Sequence, residues 1–303
     1  MIKSVTVINH LNESVKMELR SPEKSGFLIQ DITGLGPAKA NVNSTEMATS
    51  DGSIYNSARL NSRNIVLTIK LMSNPTVEYM RQLSYKYFPI KKNIKLIIET
   101  DNRTCVAYGY VESNEPNIFT SSQTTQISII CPDPYFYSLD ENNQITVLSG
   151  VEELFELPFS NESLDTDEII MGNIIATRSQ NIYYTGDSEV GITIFIHADG
   201  EVTNLIIYNL TTRESMKIDT DKLTALTGSN IILGDDIVIS TIKGNKYITL
   251  IRGGEFINII NCLGLSTNWF QLRKGDNVFA FDADTGRTNL EFRIENQTVY
   301  EGV

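Results

Sequence analysis

The sequence predicts a mainly β chain: an N-terminal β-rich α+β domain with one helix, followed by a C-terminal antiparallel β-sandwich. Three observations carry this reading. Apolar and polar residues alternate at period two through most of the chain, as half-buried strands require. One segment near residues 74–87 switches instead to a helical stripe. Beyond it, turn dipeptides recur at short spacing between further strand patterns. A length of 303 residues suits about two domains, each able to bury its own core.

In the first domain, residues 3–9, 15–19, 63–71 and 94–99 all alternate, and 103–112 and 124–131 complete an antiparallel set. Ile65, Leu67, Ile69 and Leu71 share one face of their strand, with Asn64, Thr68 and Lys70 on the other. Between these strands, Asn74-Pro75 reads as an N-cap followed by a proline at the first helical position. Val77, Met80, Leu83 and Tyr87 then form one apolar stripe, and Pro89 ends the helix near Tyr87. A helix packed on an otherwise antiparallel sheet makes this an α+β domain.

The first domain closes at Cys131-Pro-Asp-Pro-Tyr-Phe-Tyr-Ser138, where two prolines meet an aromatic cluster. Polar, acidic residues follow, and Pro158 to Asp167 is again rich in Ser, Asn, Asp and Glu. The boundaries are therefore 1–138, a connector over 139–165, and a second domain over 166–303. In that second domain Asp199-Gly200 separates Ile192–His197 from Val202–Tyr208, and Gly244-Asn245 separates Asp236–Ile242 from Lys246–Ile251. Both dipeptides read as tight hairpin turns with positive φ. Val278–Phe281 and Leu290–Ile294 bring the set near the eight or nine strands that two packed sheets need, and Thr220–Leu226, closed by Gly228, reads as one helical turn.

The formal charge of −12 argues against a general nucleic-acid binder. It is unevenly spread: residues 1–138 carry 14 Lys+Arg and 12 Asp+Glu, whereas 139–303 carry 11 and 25. Such an asymmetry implies two surfaces with different neighbours. No apolar run approaches the roughly 18–20 residues of a membrane helix, and the start lacks the apolar core of a signal peptide. Cys105, Cys131 and Cys262 are odd in number, widely spaced and set among strand residues, which reads as buried thiols in a reducing compartment.

Candidate chemistry is sparse, and the chain reads as a non-enzyme with no cofactor and no metal. The two histidines, His10 and His197, lie in strand patterns without a nearby catalytic motif, and no nucleophile elbow or HExxH is present. Gly34-Leu-Gly36 lacks the rest of a dinucleotide loop. Asp282-Ala-Asp284-Thr-Gly286 resembles the start of a calcium loop but lacks its further ligands, and His197-Ala-Asp199-Gly-Glu201 is explained by turn chemistry. Tyr183, Tyr184, Tyr208, Tyr247 and Trp269 are candidates for a sugar-binding face on the second domain. More specific is the first domain, where Tyr55, Arg59 and Arg63 are expected to project toward a neighbouring subunit, residue types favoured in such contacts. Lys86, Lys91, Lys92 and Lys95 form a basic cluster after the helix, with Lys91 and Lys92 counted among the contact residues.

At these residues the chain resembles the phage tail family of distal tail proteins. The resemblance rests on an ordered series of landmarks: Asp51-Gly-Ser-Ile-Tyr55, Arg59-Leu-Asn-Ser-Arg-Asn-Ile65, Asn74-Pro75, Tyr85-Lys-Tyr-Phe-Pro-Ile-Lys-Lys92, Glu99-Thr-Asp-Asn-Arg103, Gly109-Tyr-Val-Glu112, Glu115-Pro-Asn-Ile-Phe119 and Gln126–Tyr137. It covers residues 50–138 well and the second domain only through position and strand content.

The resemblance implies a structural protein of a tailed bacteriophage or a phage-derived tail-like particle, located at the virion tail tip and assembled in the bacterial cytoplasm. It implies a first domain that forms a homohexameric ring joining the tail tube protein to the tail-associated or tail-spike protein. DNA would pass through that ring without specific binding, and no membrane is involved. The second domain is implied to be an outward-facing β-sandwich that meets a receptor-binding protein or host glycan. The alternative reading is a carbohydrate-binding adhesion module. A closed ring places one face of each copy on a different face of the next, and ring closure covers sheet edges.

Overall fold

The computed structural model describes residues 1–47, 51–120, 122–139, 144–153, 172–176 and 179–303. The chain divides into two units, Met1–Glu141 with Val299–Val303, and Asn142–Thr298.

Unit 1 contains β1 (Ile2–Ile8), β2 (Ser14–Glu18), β3 (Phe27–Thr33), β4 (Ala40–Glu46), β5 (Ser53–Leu60), β6 (Arg63–Leu71), α1 (Val77–Tyr87), β7 (Asn93–Thr100), β8 (Thr104–Asn117), β9 (Thr124–Cys131) and β10 (Phe136–Ser138). Its sheet runs in the order β2-β1-β7-β8-β9-β6-β3, with antiparallel neighbours throughout. The alternation in β6 does what it predicts: Ile65, Leu67, Ile69 and Leu71 are buried, and Asn64, Thr68 and Lys70 face outward. They share a core with Val5, Val7, Leu96, Ile98, Ile127 and Ile129, against which Met80 of α1 is buried and Val77, Leu83 and Tyr87 pack. Removing these apolar faces from water is what holds helix to sheet.

The helix ends at Tyr87 as expected, but its cap differs. Thr76, not Asn74, is the N-cap: its backbone is extended and its Oγ1 accepts the Tyr79 N–H at 3.1 Å. Pro75 therefore precedes the cap instead of opening the helix, because a threonine one residue later offers the hydroxyl in the right place.

Unit 2 contains β11 (Gln144–Glu153), β12 (Gly172–Ala176), β13 (Ser179–Tyr184), β14 (Val190–Gly191), β15 (Thr193–Ala198), β16 (Ile206–Asn209), β17 (Glu214–Lys217), α2 (Thr220–Thr227), β18 (Asp236–Ser240), β19 (Tyr247–Arg252), β20 (Glu255–Asn258), β21 (Gln271–Leu272), β22 (Gly275–Asp282) and β23 (Leu290–Asn296). Two antiparallel sheets, β12-β11-β23-β15-β18-β19-β20 and β13-β22-β16-β17, send their buried rows into one core. Ile194, Ile196, Ile237, Ile239 and Ile294 from the first meet Ile182, Ile207, Phe279 and Phe281 from the second. The expected helical turn is α2, capped by Asp219, whose carboxylate accepts two backbone N–H groups, and closed by Gly228 at φ 84.

Two sequence expectations are corrected here. Gly244 does turn the β18–β19 hairpin, with φ 84, but Asp199-Gly200 makes no hairpin. β15 pairs β18 and β23, while β16 lies in the other sheet, so Asp199-Gly200 begins a crossover between sheets. The domain limits also shift. β11 occupies part of the expected connector and pairs β23, while residues 154–165 of that connector lie outside the described residues. The chain end does not belong to unit 2: β24 (Val299–Tyr300) returns to unit 1 and pairs β10. A two-residue strand paired across more than 160 positions leaves no periodic trace in the sequence.

Candidate functional site

β4 and β5 form a two-stranded ribbon separate from the main sheet of unit 1. Every residue in both strands is exposed. Their register pairs Ala40 with Leu60, Val42 with Ala58 and, beyond a bulge, Ser44 with Tyr55. Side chains alternate across the ribbon, so Ala40, Val42, Ala58 and Leu60 form an apolar patch on one face beside Tyr55, and Ser44, Glu46 and Ser53 continue that face toward the tip. The other face pairs Asn41 with Arg59 and Asn43 with Ser57, where Asn43 Nδ2 donates to Ser57 Oγ at 3.2 Å. Asn56 Nδ2 likewise donates to Thr45 Oγ1 at 2.7 Å. Tyr55 remains 64% exposed. An isolated two-stranded hairpin is marginal in water, and an uncovered apolar face adds to that liability.

The expected contact residues separate into two groups. Tyr55 and Arg59 sit on opposite faces of the ribbon, and Lys91 and Lys92 are exposed in the turn between α1 and β7. Lys86 of the same basic cluster is paired with Glu13 at 2.7 Å, and this partner raises its pKa. Arg63 is the exception and corrects the expectation that it projects toward a neighbour. It is buried, shares the inward face of Ile65 and Leu67, and stacks 4.3 Å above the Phe136 ring. Its guanidinium donates from Nε to Pro134 O at 2.7 Å, from Nη1 to Gly34 O at 2.6 Å and to Gly36 O, and from Nη2 to Glu301 O at 2.6 Å. Burial lowers its pKa. The signal was present in the alternation itself, since residue 63 has the parity of 65, 67 and 69.

Unit 1 also carries a groove of about 550 Å³ lined by His10, Lys95, Tyr108, Tyr110 and Asp133. Unit 2 carries one of about 470 Å³ on the outer face of its larger sheet, lined by Val147, Phe195, His197, Asp236, Glu291 and Arg293. There the Arg293 guanidinium lies 4.6 Å from the Phe195 ring centroid, and His197 Nδ1 is 2.6 Å from Asp236 Oδ1. The aromatics expected to form a sugar face do not line this groove. Tyr184 is fully buried, Tyr183 is exposed on β13, and Lys246 lies over the Trp269 ring. Asp284 of the calcium-like segment accepts from Asn204 Nδ2 at 2.7 Å, and Asp282 accepts the Ala283 N–H at 2.9 Å. Among the described residues no His, Cys, Asp and Glu cluster is arranged to hold a metal ion, and no helix is long and apolar enough to cross a membrane. All three cysteines are buried, and burial pushes the Cys131 thiol up to about 11.

No family model and no curated protein matches the chain. Among solved structures, the Dit protein of phage SPP1 is similar over 97% of this chain and 98% of that one, at a TM-score of 0.63 and 12% identity. The fold is that of the SPP1 hub protein. That protein is described as a paradigm of the hub adsorption apparatus in phages infecting Gram-positive bacteria. A chain of the phage P2 baseplate in its activated conformation with calcium aligns over 98% of both chains at TM-score 0.46 and 10% identity. A chain of the same baseplate with strontium aligns over 97% of both at 0.43 and 9%.

Proposed function

We propose that this chain is a structural distal tail protein, six copies of which close a ring joining a phage tail tube to the tail-tip apparatus. The observation that carries the reading is the ribbon. A hairpin exposed on every residue, with Val42, Tyr55, Ala58 and Leu60 on one face, is left uncovered by the described residues of its own chain. A neighbouring copy covers it in a heterologous contact, and repetition of that contact closes a ring. The likeness in fold to a tail hub over nearly the whole chain supports the same reading.

In this reading Tyr55 and Arg59 make subunit contacts from the two faces of the ribbon, and Lys91 and Lys92 contribute charge from the α1–β7 turn. Arg63 is not a contact residue. Unit 2 faces outward and meets receptor-binding or tail-associated proteins, and DNA passes through the ring without specific binding. The protein acts by assembly at the virion tail tip and has no catalytic role. Native mass spectrometry of the purified chain, alone and with its tail-tube neighbour, tests the stoichiometry. A six-copy species is expected, and a monomer in both samples would overturn the ring.

A further inference from the structure

The two legs of the ribbon converge on one buried side chain. The chain enters the ribbon through Gly34–Lys39 and leaves it through Asn61, whose N–H donates to Lys39 O at 3.3 Å, to reach Arg63. The Arg63 fork returns to Gly34 O and Gly36 O in the entering leg, and its remaining donors reach Pro134 O and Glu301 O. Gly34 itself has φ 84, and a Cβ there would collide with the Asn64 carbonyl, so the entering leg lies directly on β6.

The opposite side of this root is built from the last residues of the chain. β24 pairs Tyr300 with Phe136 and Val299 with Tyr137, and the Arg103 guanidinium sits 4.7 Å from the Tyr300 ring centroid. Glu301 supplies the carbonyl for Nη2, and Val303 N–H donates to Leu35 O at 3.1 Å. Val303, Tyr300 and Leu35 pack against the unit 1 core, and a Cβ on Gly302 would lie 3.2 Å from Leu35 O. The root is therefore gripped between Arg63 and the C-terminal strap. A buried guanidinium tolerates this site only while carbonyls meet its donors.

We propose that residues 299–303 act as a strap lock: with Arg63 they order the root of the ribbon, so that only chains with the strap seated enter the ring. A chain in which residues 299–303 are removed or displaced presents a ribbon whose entering leg has lost the Leu35 contact and one arm of the Arg63 clasp. The step from an ordered root to assembly rests on the ring reading; the step from strap to root does not.

Hydrogen exchange read by mass spectrometry tests the first step, on the dilute full chain and on a chain ending at Thr298. Exchange in residues 34–40 is expected to rise about tenfold or more on truncation, while amides of β6–β9 and unit 2 keep their protection. Unchanged exchange at 34–40 would overturn the lock. Should that truncation unfold unit 1, a chain lacking only Gly302 and Val303 keeps β24, and faster exchange confined to 34–37 is then expected. Protection there equal to the full chain would again sink the idea. Arg63→Lys in the full chain, which keeps the charge but removes the fork, is expected to loosen the same segment. For the second step, truncated chains mixed with full chains are expected to be excluded from the ring, and their incorporation would overturn the lock. A full chain that never oligomerises would instead sink the ring reading while leaving the exchange result intact.

Discussion

Two hairpins in this molecule share a motif and differ in everything behind it. β18–β19 pairs Asp236–Ser240 with Tyr247–Ile251 and buries Ile237, Ile239, Ile248 and Leu250 in the core of unit 2. The ribbon β4–β5 is longer, yet each of its residues is exposed. Both are closed at the open end by an arginine. Arg252 ends β19 and grips Asp235, just before β18, with Nε at 2.8 Å from Oδ1 and Nη2 at 2.6 Å from Oδ2. Arg63 holds the ribbon root through main-chain carbonyls. The carboxylate raises the Arg252 pKa, whereas burial lowers that of Arg63. The difference teaches where each hairpin finds its stability. The first derives it from its own core, and the ribbon from its root and, in our reading, from a second copy.

The largest expected effect breaks this comparison on the ribbon side. Val42→Asp combined with Tyr55→Ala puts a charge and a lost aromatic into the apolar face. Anchoring aromatic residues at interfaces contribute about 2 kcal/mol or more each, and a ring repeats the loss at every contact. Oligomer should vanish in sedimentation, while the thermal stability of the monomer stays within about 0.5 kcal/mol, as for surface substitutions. A large drop in monomer stability would mean that the ribbon is part of a core after all. The converse change is Ile239→Ala in β18, expected to cost about 2–5 kcal/mol in denaturant unfolding of unit 2. The ring should survive it under native conditions.

These two hairpins were not equally legible in the sequence. Ile237, Ile239, Ile248 and Leu250 alternate with partly exposed neighbours, and Gly244 marks the turn, so periodicity reveals β18–β19. Residues 40–46 and 53–60 have no buried face to impose a period, and the bulge between Asn43 and Ser44 shifts the phase further. Tyr55 and Arg59 therefore stand out in the sequence only as residue types in a loop, without the strand that presents them. At Arg63 the residue type suggests a contact, whereas the parity it shares with Ile65, Leu67 and Ile69 places it inward. The strap at 299–303 had no local signal, because its meaning lies in Arg63, Leu35 and Phe136, far away in the chain.

Smaller effects test the two arginine closures. Asp235 is 1% exposed and also accepts the Ile232 N–H at 2.9 Å. Asp235→Asn removes the charge facing Arg252 but keeps the shape, and should cost unit 2 about 1–3 kcal/mol, as expected for weakening a largely buried, charge-assisted pair. Exchange at residues 34–40 in unit 1 should be untouched. Loosening of the ribbon root by this change would show that the closures are not independent.

The smallest expected effect lies beside the same hairpin, at His197. On β15 it stands opposite Asp236 of β18 and Glu291 of β23, with Asp199 Oδ1 3.7 Å from Nε2 and Arg293 lining the same groove. The hydrogen bond to Asp236 raises its pKa above the ordinary 6.5, with Asp236, Asp199 and Glu291 adding to it through their charges, against the opposing effect of burial. A group with a raised folded pKa contributes stability that is fully present below the unfolded value and lost as pH rises through the folded one. Unit 2 should therefore lose stability as pH climbs from 6.5 through the raised value. His197 is 42% exposed in its side chain, so solvent screening limits the change to a few tenths of a kcal/mol. Melting of wild type and His197→Gln across that window gives the readout: the His-dependent slope should disappear in the variant. If both lose stability equally, the slope belongs to other groups, and the β15–β18 pairing next to the hairpin owes nothing to the imidazolium.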